Sequence, residues 1–273
     1  MPNPASGRSR ALVTGASSGI GVAYAERLAR DGYDLVLVAR RRNRLNELAE
    51  RLRRNNGIQA DVVCADLTDP VDLAKVEKLA SSDEALGLLI NNAGFPGYQP
   101  FVSIDPKVID DLISIHIRAV ARLSRAALPG MVRRGKGAVI NLASLLAISA
   151  MLPPNPLPSR ATYAGAKAFI LAFTQALAGE LNGTGVRVQV CLPGRVSTEF
   201  LHTVHGIDTS KLPPAMTAED VVTASLSALA RQEVVCIPAL GDPALFGEVT
   251  EAQIKLFRNS AMQPSLAERY TRQ

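Results

Sequence analysis

Short apolar segments alternate with longer helical segments along most of this chain of 273 residues. Segments such as Asp34–Ala39 and Val186–Cys191 contain several β-branched residues and are bounded by Gly or Asp, which is typical of strands buried on both faces of a parallel sheet. This alternation predicts an α/β fold with a doubly wound parallel sheet that has helices on both faces. We predict about seven strands, near 10–14, 34–39, 59–64, 87–91, 137–142, 186–191 and 234–237, and helices near 19–31, 43–56, 69–81, 105–134, 160–183 and 218–231.

A glycine-rich turn joins the first predicted strand to the first predicted helix. The strand Arg10–Thr14 is followed directly by Gly15–Gly21, which opens a helical pattern that runs to about Asp31. Glycines let the backbone approach a pyrophosphate, and a helix N-terminus supplies N–H groups and the positive end of a dipole. The spacing is not the usual G-x-G-x-x-G, and a purely structural turn would carry similar glycines. On this motif alone both interpretations stay open.

Tyr163 and Lys167 lie four residues apart at the head of an Ala-rich helical stretch. On a helix this spacing puts the phenol and the ammonium on one face. A nearby positive charge favours the phenolate, so the pair is a way to build a proton donor and acceptor that works near neutral pH. The same spacing also occurs on solvated helix faces, so the pair needs support from other motifs.

The net charge of +5 and the basic run Arg40–Arg44 raise the question of nucleic-acid binding. Aromatic residues make up only 4% of the chain, there is no Trp, and the arginines that follow the run alternate with glutamates, as on a solvated helix face. We therefore expect no nucleic-acid partner. Cys64, Cys191 and Cys236 are odd in number, widely spaced and placed in predicted strands, which predicts buried reduced thiols and no metal site.

The length fits a single domain, 1–273, and no internal repeat or low-complexity segment indicates another. No apolar run approaches the ~20 residues that span a bilayer, and residues 1–9 are too short and polar for a signal peptide. We therefore expect a cytoplasmic protein with no membrane partner. Residues 242–273 carry apolar side chains among charges, which predicts a C-terminal extension with a helix packed on the core or on a neighbouring subunit.

Several motifs come together in a characteristic order: Thr14–Gly21, Asp66–Leu67, Asn91–Gly94, Ser144, Tyr163-x-x-x-Lys167 and Pro193–Thr198. In order and rough spacing they resemble the single-domain form of the short-chain dehydrogenase/reductase family, over a core of about 10–238. The resemblance implies a Rossmann-type fold, a nicotinamide cofactor, and a homodimer or homotetramer joined through helices 105–134 and 160–183. It also implies an oxidoreductase that interconverts a small-molecule carbonyl and a secondary alcohol, with Tyr163 as the general acid and base.

Each motif then receives a role that the resemblance implies. Ser144 would hydrogen-bond the substrate oxygen, with a strand-end cap as the alternative, while Lys167 would lower the pKa of Tyr163 and hold the nicotinamide ribose. Residues 199–216 would form a substrate lid. The remaining cofactor residues would be Gly15, Ser17, Ser18, Gly19, Ile20 and Gly21 at the pyrophosphate, Asp66 and Leu67 at the adenine, Asn92, Ala93 and Gly94 beside the ribose, and Pro193, Gly194, Val196 and Thr198 at the nicotinamide amide.

Two features depart from the family pattern. Ser144 and Tyr163 are unusually far apart, and the extra stretch Met151–Pro158 is too rich in proline for regular structure, which predicts a stiff loop beside the substrate. His116 stands where the family usually has an asparagine that anchors a water-linked proton path to Lys167. The imidazole either holds that water, with a pH dependence near ~6.5, or is a packed core histidine with both nitrogens bonded to backbone carbonyls.

The end of the second predicted strand indicates which nicotinamide cofactor is preferred. An acidic residue there holds the ribose 2′-OH of NAD, whereas an arginine accommodates the 2′-phosphate of NADP. The strand ends Val38-Ala39-Arg40, without an acid, which predicts a preference for NADPH over NADH, although Arg40 could instead simply begin the solvated arginine run. Two other functions stay open: a catalytically silent nucleotide-binding or regulatory protein, and an isomerase or dehydratase that uses the bound cofactor.

Overall fold

The computed structural model describes residues 7–153, 157, 159–200 and 215–270. Within them, seven parallel strands form one sheet in the order β3-β2-β1-β4-β5-β6-β7, so the predicted doubly wound parallel sheet is confirmed. The strands are β1 Arg10–Thr14, β2 Asp34–Ala39, β3 Ala60–Cys64, β4 Leu86–Asn91, β5 Gly137–Leu142, β6 Val186–Cys191 and β7 Val235–Cys236. The α-helices are α1 Gly19–Arg30, α2 Arg42–Asn56, α3 Pro70–Ser82, α4 Pro106–Ile113, α5 Ala119–Arg133, α6 Ala161–Glu180, α7 Ala218–Ala230 and α8 Ala244–Ala261.

Helices on both faces of the sheet bury alternate residues of each strand. In β2, Leu35 and Leu37 pack into the hydrophobic cluster that contains Tyr24 of α1. Val36 and Val38 point the other way, into the cluster that contains residues of α3 and α5. The whole of β2 is buried, which accounts for its nearly continuous apolar sequence.

The strand order reverses direction at β1, which lies between β2 and β4. The hydroxyl of Thr14, the last residue of β1, donates to the carbonyl of Ile90 at 3.1 Å and accepts from the backbone amides of Asn92 at 2.9 Å and Ala93 at 3.0 Å. It thereby joins the glycine turn after β1 to the loop after β4. In open α/β sheets, ligands bind beyond the carboxyl ends of the strands at this switch point.

The predicted helix 105–134 is not continuous. A π-helical turn, Ser114–Arg118, separates α4 from α5, and the amide of Ala119 bonds back to the carbonyl of Ser114, five residues earlier. A π turn adds a residue to the helical repeat and is frequent at functional sites. Here it carries His116, whose side chain is completely buried.

The cysteines are free thiols, but they are not equally buried. Cys191 and Cys236 are buried, as predicted, whereas Cys64 is only half-buried and its thiol donates to the carbonyl of Arg40 at 3.2 Å. The prediction is wrong for Cys64 because β3 is an edge strand of the sheet, so one side of it has no neighbouring strand.

The chain forms two compact units, 1–238 and 239–273. The first contains the sheet, and the second contains α8, which lies in the segment for which a C-terminal helix was predicted. None of the side chains of α8 is buried. Among the described residues, no helix combines the length and apolarity needed to cross a membrane.

Candidate active site

The glycine turn is a tightly packed backbone structure. Gly15 has a φ of +68°, and a Cβ there would lie 2.7 Å from the Asn92 side chain. At Gly21 a Cβ would lie 2.2 Å from the carbonyl oxygen of Gly15, so a side chain at either position would displace the backbone. Gly19 has a φ of +53°, and a Cβ there would meet the Thr198 methyl at 2.9 Å. The turn therefore holds the loop after β4 and the segment after β6 against the start of α1.

The N-terminus of α1 faces this turn without a side-chain cap. Ser18 occupies the N-cap position, yet its hydroxyl makes no capping bond to the helix and accepts a hydrogen bond from Arg41 at 2.6 Å instead. The first N–H groups of α1 are left for an external acceptor, which is what an anion site at a helix N-terminus requires. This geometry fits a pyrophosphate held by Gly15–Gly21.

The residues predicted at the adenine lie after β3. Burial opposes ionisation of Asp66, but two hydrogen bonds from Thr68 and the charge of Arg40 lower the pKa of its carboxyl below the usual value. Arg40 Nη1 lies 3.7 Å from Asp66 Oδ2. The Leu67 side chain is buried in the hydrophobic core. Asp66 and Arg40 therefore form a polar rim at this end of the site.

The predicted catalytic residues come together at the ends of β5 and α6. Tyr163 and Lys167 are both buried on one face of α6, and the ammonium Nζ lies 5.6 Å from the centre of the phenol ring. Lys167 Nζ donates to the carbonyl of Leu142, the last residue of β5, at 2.8 Å. Ser144 hydrogen-bonds Tyr163, and its oxygen also accepts from the amide of Leu146 at 3.2 Å. Ser144 is thus both a cap and a partner of the phenol.

Burial controls the protonation of this pair. Desolvation raises the pKa of the Tyr163 phenol well above its usual value, with Tyr98 adding to the rise and only the Ser144 hydrogen bond opposing it. Desolvation lowers the pKa of Lys167 to about 7. The loss of water around the phenol therefore sets the direction of the pKa shift of Tyr163, and the lowering by Lys167 stays a prediction.

The motif after β6 connects the two ends of the site. The carbonyl of Pro193 accepts from the amide of Leu145 at 3.0 Å, and a Cβ at Gly194 would lie 3.4 Å from the Leu145 side chain. Val196 forms an isolated parallel bridge with Met216. Thr198 then reaches Gly19, so the segment runs from the Ser144 turn to the glycine turn.

Comparison with known proteins agrees with this geometry. A family model described as short chain dehydrogenase matches residues 9–206. The chain belongs to the short-chain dehydrogenase family. This chain is an oxidoreductase of that family.

Solved structures of short-chain dehydrogenases match almost the whole chain. A short-chain dehydrogenase from Sphingobium yanoikuyae in complex with NADPH is 39% identical, with a TM-score of 0.89 over 95% of this chain and 98% of that one. A bulky-bulky ketone specific alcohol dehydrogenase from Comamonas testosteroni is 37% identical, with a TM-score of 0.85 over 96% of this chain and 98% of that one. A very-long-chain 3-oxoacyl-CoA reductase from Anas platyrhynchos is 34% identical over 70% of this chain, and the match spans 60% of the length of that relative.

His116 departs from the usual short-chain dehydrogenase motif, and its surroundings define its tautomer. Nε2 lies 3.0 Å from the carbonyl of Phe95, which can only accept, so Nε2 carries the proton. Nδ1 is consequently an acceptor, and it is buried with no partner among the described residues. The ring packs so closely on Gly94 that a Cβ there would lie 2.2 Å from Cε1.

The expected titration of His116 near neutral pH is wrong. Desolvation, reinforced by the nearby charge of Lys167, lowers the pKa of the imidazole well below 6.5 despite its bond to Phe95. His116 is therefore neutral at physiological pH. The alternative of two nitrogens bonded to carbonyls is also incorrect, because only Nε2 has such a partner within the part of the chain described.

Sequence reasoning missed two residues that the fold brings to the site. Tyr98, in the loop after β4, packs edge-on against Tyr163 with ring centres 5.0 Å apart, and their side chains share a hydrogen bond. Burial raises the pKa of Tyr98 to about 12. Arg41, and not Arg40, contacts the glycine turn, donating to Ser17 at 3.0 Å and to Ser18. No motif indicates Tyr98, whereas the arginine run did point to the neighbourhood of Arg41.

The predicted loop 151–158 is held at its start by Arg160, the N-cap residue of α6. Its buried guanidinium donates to the hydroxyl and carbonyl of Ser149 and to the carbonyl of Leu152. The rest of that loop, at 154–156 and 158, and most of the predicted lid, at 201–214, lie outside the described residues.

Proposed function

We propose that this enzyme is an NADP(H)-dependent oxidoreductase that interconverts a carbonyl and a secondary alcohol, with Tyr163 as the general acid and base. One observation carries the proposal: the Ser144, Tyr163 and Lys167 cluster opens on the same edge of the sheet as the uncapped glycine turn. A proton donor beside a dinucleotide site is what carbonyl reduction requires.

The residues around the glycine turn fit a dinucleotide cofactor. The glycine turn and the N-terminus of α1 would hold the pyrophosphate, Asp66 would face the adenine, and Pro193–Thr198 would face the nicotinamide. When bound, the nicotinamide supplies or accepts the hydride. Preference for NADPH is supported by the end of β2, which has Arg40 and Arg41 in place of an acid. It is also supported by the NADPH bound to the Sphingobium relative.

Tyr163 would move the proton. Because its pKa lies well above the usual value, the phenol is protonated at neutral pH and is ready to donate to a developing alkoxide. Ser144 would donate a hydrogen bond to the substrate oxygen, stabilising charge that develops there. Lys167, fixed on the Leu142 carbonyl, would hold the ribose and, in its protonated form, place a positive charge next to the phenol.

His116 would keep the proton supply open. Its neutral Nδ1 is a buried acceptor without a partner in the described residues, close enough to Lys167 for that charge to shift its pKa. A water bonded to Nδ1 and to Lys167 would link the ammonium towards solvent, which is the role of the asparagine that His116 replaces. An unpaired buried acceptor otherwise costs about 1–3 kcal/mol, which favours such a water.

The substrate would be a bulky apolar carbonyl compound. Tyr163 lies in a cluster with buried Ile104 and Leu112, and Tyr98, Leu146 and Phe200 pack against it. Phe200 approaches Tyr163 with ring centres 6.2 Å apart. An aromatic and aliphatic surface around one proton donor favours a ketone with large apolar substituents over a sugar. The name of the Comamonas relative, a bulky-bulky ketone specific alcohol dehydrogenase, supports the same class.

The test is a matrix of initial rates with NADPH and NADH against diaryl ketones, steroids, long-chain 3-oxoacyl thioesters, small aldehydes and sugars. We expect steady oxidation of NADPH with diaryl ketones, steroids or both, and rates at least about tenfold lower with sugars. Tyr163→Phe serves as the control for nonenzymatic turnover. Cofactor binding without turnover on any carbonyl would favour the silent nucleotide-binding protein, and product formation without net cofactor consumption would favour the isomerase or dehydratase.

We also propose a homodimer or homotetramer in the cytoplasm. The surface of α6 supports the assembly into an oligomer, because the helix is apolar on most sides. On it, the rings of Phe169 and Phe173 stack with their centres 5.5 Å apart. Light scattering on the purified protein tests the assembly, and a monomer at micromolar concentration would contradict it.

A further inference from the structure

A cluster of charged and hydroxyl side chains joins the glycine turn, the start of α2 and the segment after β6. Arg44 Nη1 donates to both carboxylate oxygens of Glu199, at 2.9 and 2.8 Å, and Arg41 Nη1 donates to the same carboxylate at 3.1 Å. Arg41 also donates to Ser17 and Ser18. A single carboxylate therefore lies between two guanidinium groups at the mouth of the glycine turn.

Three separate parts of the fold meet in this cluster. Arg41 and Arg44 begin α2, at the carboxyl end of β2, whereas Ser17 and Ser18 belong to the glycine turn. Glu199 comes from the segment after β6, directly following Thr198. The contacts join residues that are 155 and 158 positions apart in the chain, so local helix preferences do not explain them.

The charges in the cluster suit a phosphate better than a carboxylate. Two guanidinium groups face the single negative charge of Glu199. The neighbouring Arg40 adds a third cation, which lies 3.7 Å from the carboxylate of Asp66. Planar guanidinium forks pair well with the oxygens of a phosphate, which carries about two negative charges at neutral pH. The side chains of Arg41 and Arg44 are nearly half exposed, so a solute can reach them.

We propose that Glu199 is a built-in anion that competes with the ribose 2′-phosphate of the cofactor for the guanidinium groups of Arg41 and Arg44. The proposal rests on the proposed function and deepens it by naming what regulates cofactor affinity. Binding of the phosphate displaces Glu199 from Arg41 and Arg44, so affinity for NADPH is set by the difference between two anions.

Glu199 remains ionised at every pH at which the enzyme is expected to work. Hydrogen bonds from Arg44 and then Arg41 lower the pKa of its carboxyl. The competition is therefore constant around neutral pH, and only a substitution removes it. Glu199→Gln keeps the shape of the side chain and removes the charge.

The experiment measures dissociation constants by calorimetry for adenosine 2′-monophosphate, adenosine 5′-monophosphate, NADPH and NADH. Wild type is compared with Glu199→Gln, Arg41→Ala and Arg44→Ala. Glu233→Gln is the matched control, because Glu233 also pairs with an exposed arginine, Arg231, at 2.6 Å. Melting temperatures confirm that each variant is folded.

We expect Glu199→Gln to bind adenosine 2′-monophosphate and NADPH about threefold to fivefold more tightly, the size of one exposed ion pair. Arg41→Ala and Arg44→Ala should weaken binding of the same two ligands about tenfold. Binding of NADH and adenosine 5′-monophosphate should change less than twofold in these variants. The Glu233→Gln control should match wild type for every ligand.

Weaker binding of NADPH by Glu199→Gln, or no change, would overturn the competition. Equal losses for NADPH and NADH in the arginine variants would overturn the phosphate site. The proposed function fails separately: 2′-phosphate binding without carbonyl turnover would retain this site and remove the enzyme activity. Turnover with NADH and no affinity for adenosine 2′-monophosphate would retain the enzyme activity and remove the phosphate site.

Discussion

The two ends of the site carry ionisable side chains in opposite surroundings. At the catalytic end, Tyr163, Lys167 and His116 are buried, and burial moves all three pKa values far from their usual positions. At the cofactor rim, the side chain of Arg40 is 72% exposed and that of Arg41 is 44% exposed. Loss of water therefore sets the pKa values of the buried groups, whereas ion-pair partners and salt determine the strength of charge interactions at the rim. Single-atom changes should matter most at the buried end.

The largest expected effect is at the phenol. Tyr163→Phe removes the proton donor and leaves the ring in place, so we expect the turnover rate to fall by ~10²–10⁴-fold with cofactor affinity nearly unchanged. Steady-state rates and cofactor titration by fluorescence check both parts. Retention of more than about a tenth of the wild-type rate would mean that another group donates the proton.

Gly94→Ala should have the next largest effect. The new Cβ would lie 2.2 Å from His116 Cε1, so the imidazole or the loop must move, which costs about 1–3 kcal/mol and should slow turnover about tenfold or more. The matched control is Gly179→Ala on α6, where no atom of the described residues lies within 4 Å of the new Cβ and stability should be equal or higher. In the double variant Gly94→Ala/His116→Ala, removal of the imidazole should restore part of the stability. No recovery would mean that a clash with His116 is not the cause of the loss.

Substitution of His116 should have a moderate effect on turnover. It distinguishes the role of its hydrogen-bond acceptor from the role of its size. Asparagine offers an acceptor oxygen, so His116→Asn should keep turnover within about threefold, whereas His116→Ala should lose about tenfold. Because the imidazole pKa lies well below 6.5, any limb between pH 6 and 7 in the pH–rate profile should appear in both the wild type and His116→Asn. Equal rates in all three proteins would remove His116 from the proton path, and a limb that only the wild type shows would contradict its neutral state.

The rim should respond more weakly and depend on salt. Arg40→Ala should raise the KM for NADPH about fivefold at low ionic strength, with a smaller change at 0.5 M salt, because its side chain is mostly exposed. The KM for NADH serves as the internal control and should stay the same. If the rise in the KM for NADPH were the same at 0.5 M salt, Arg40 would act as a group shielded from solvent.

The last expected effect concerns stability and pH, not catalysis or binding. The pKa of Lys167 is about 7 in the folded protein and about 10.4 in an unfolded chain, so between these values the unfolded state binds more protons. Stability of the wild type should therefore rise with pH across this window, relative to Lys167→Met, by at most about 1.4 kcal/mol per pH unit. Denaturant titrations at pH 7, 8 and 9 measure the difference, and a constant difference would mean that Lys167 does not titrate there.

The fold was predictable because strands buried on two faces must be apolar along their whole length. β1, β2, β5 and β6 have the predicted bounds. The π turn around His116 was not predictable, because its residues fit the apolar pattern of an α-helix equally well and one added residue leaves no mark in composition.

The candidate site was predictable only where chemistry follows a motif. The spacing of Tyr163 and Lys167 indicates their shared face, but the directions of their pKa shifts depend on how much water the fold removes. Tyr98 lies in an irregular loop, so only the fold brings it to Tyr163. Whether Arg40 or Arg41 meets the glycine turn depends on the backbone at the end of β2, which a run of arginines does not encode.

The hydroxyl of Thr14 has a mechanical consequence for the whole cleft. It has one proton and two lone pairs, and all three are used, on Ile90, Asn92 and Ala93. The turn after β1 and the loop after β4 are therefore pinned together by one side chain and behave as a single rigid floor. Because this floor is already ordered, binding of a dinucleotide there loses little further conformational entropy.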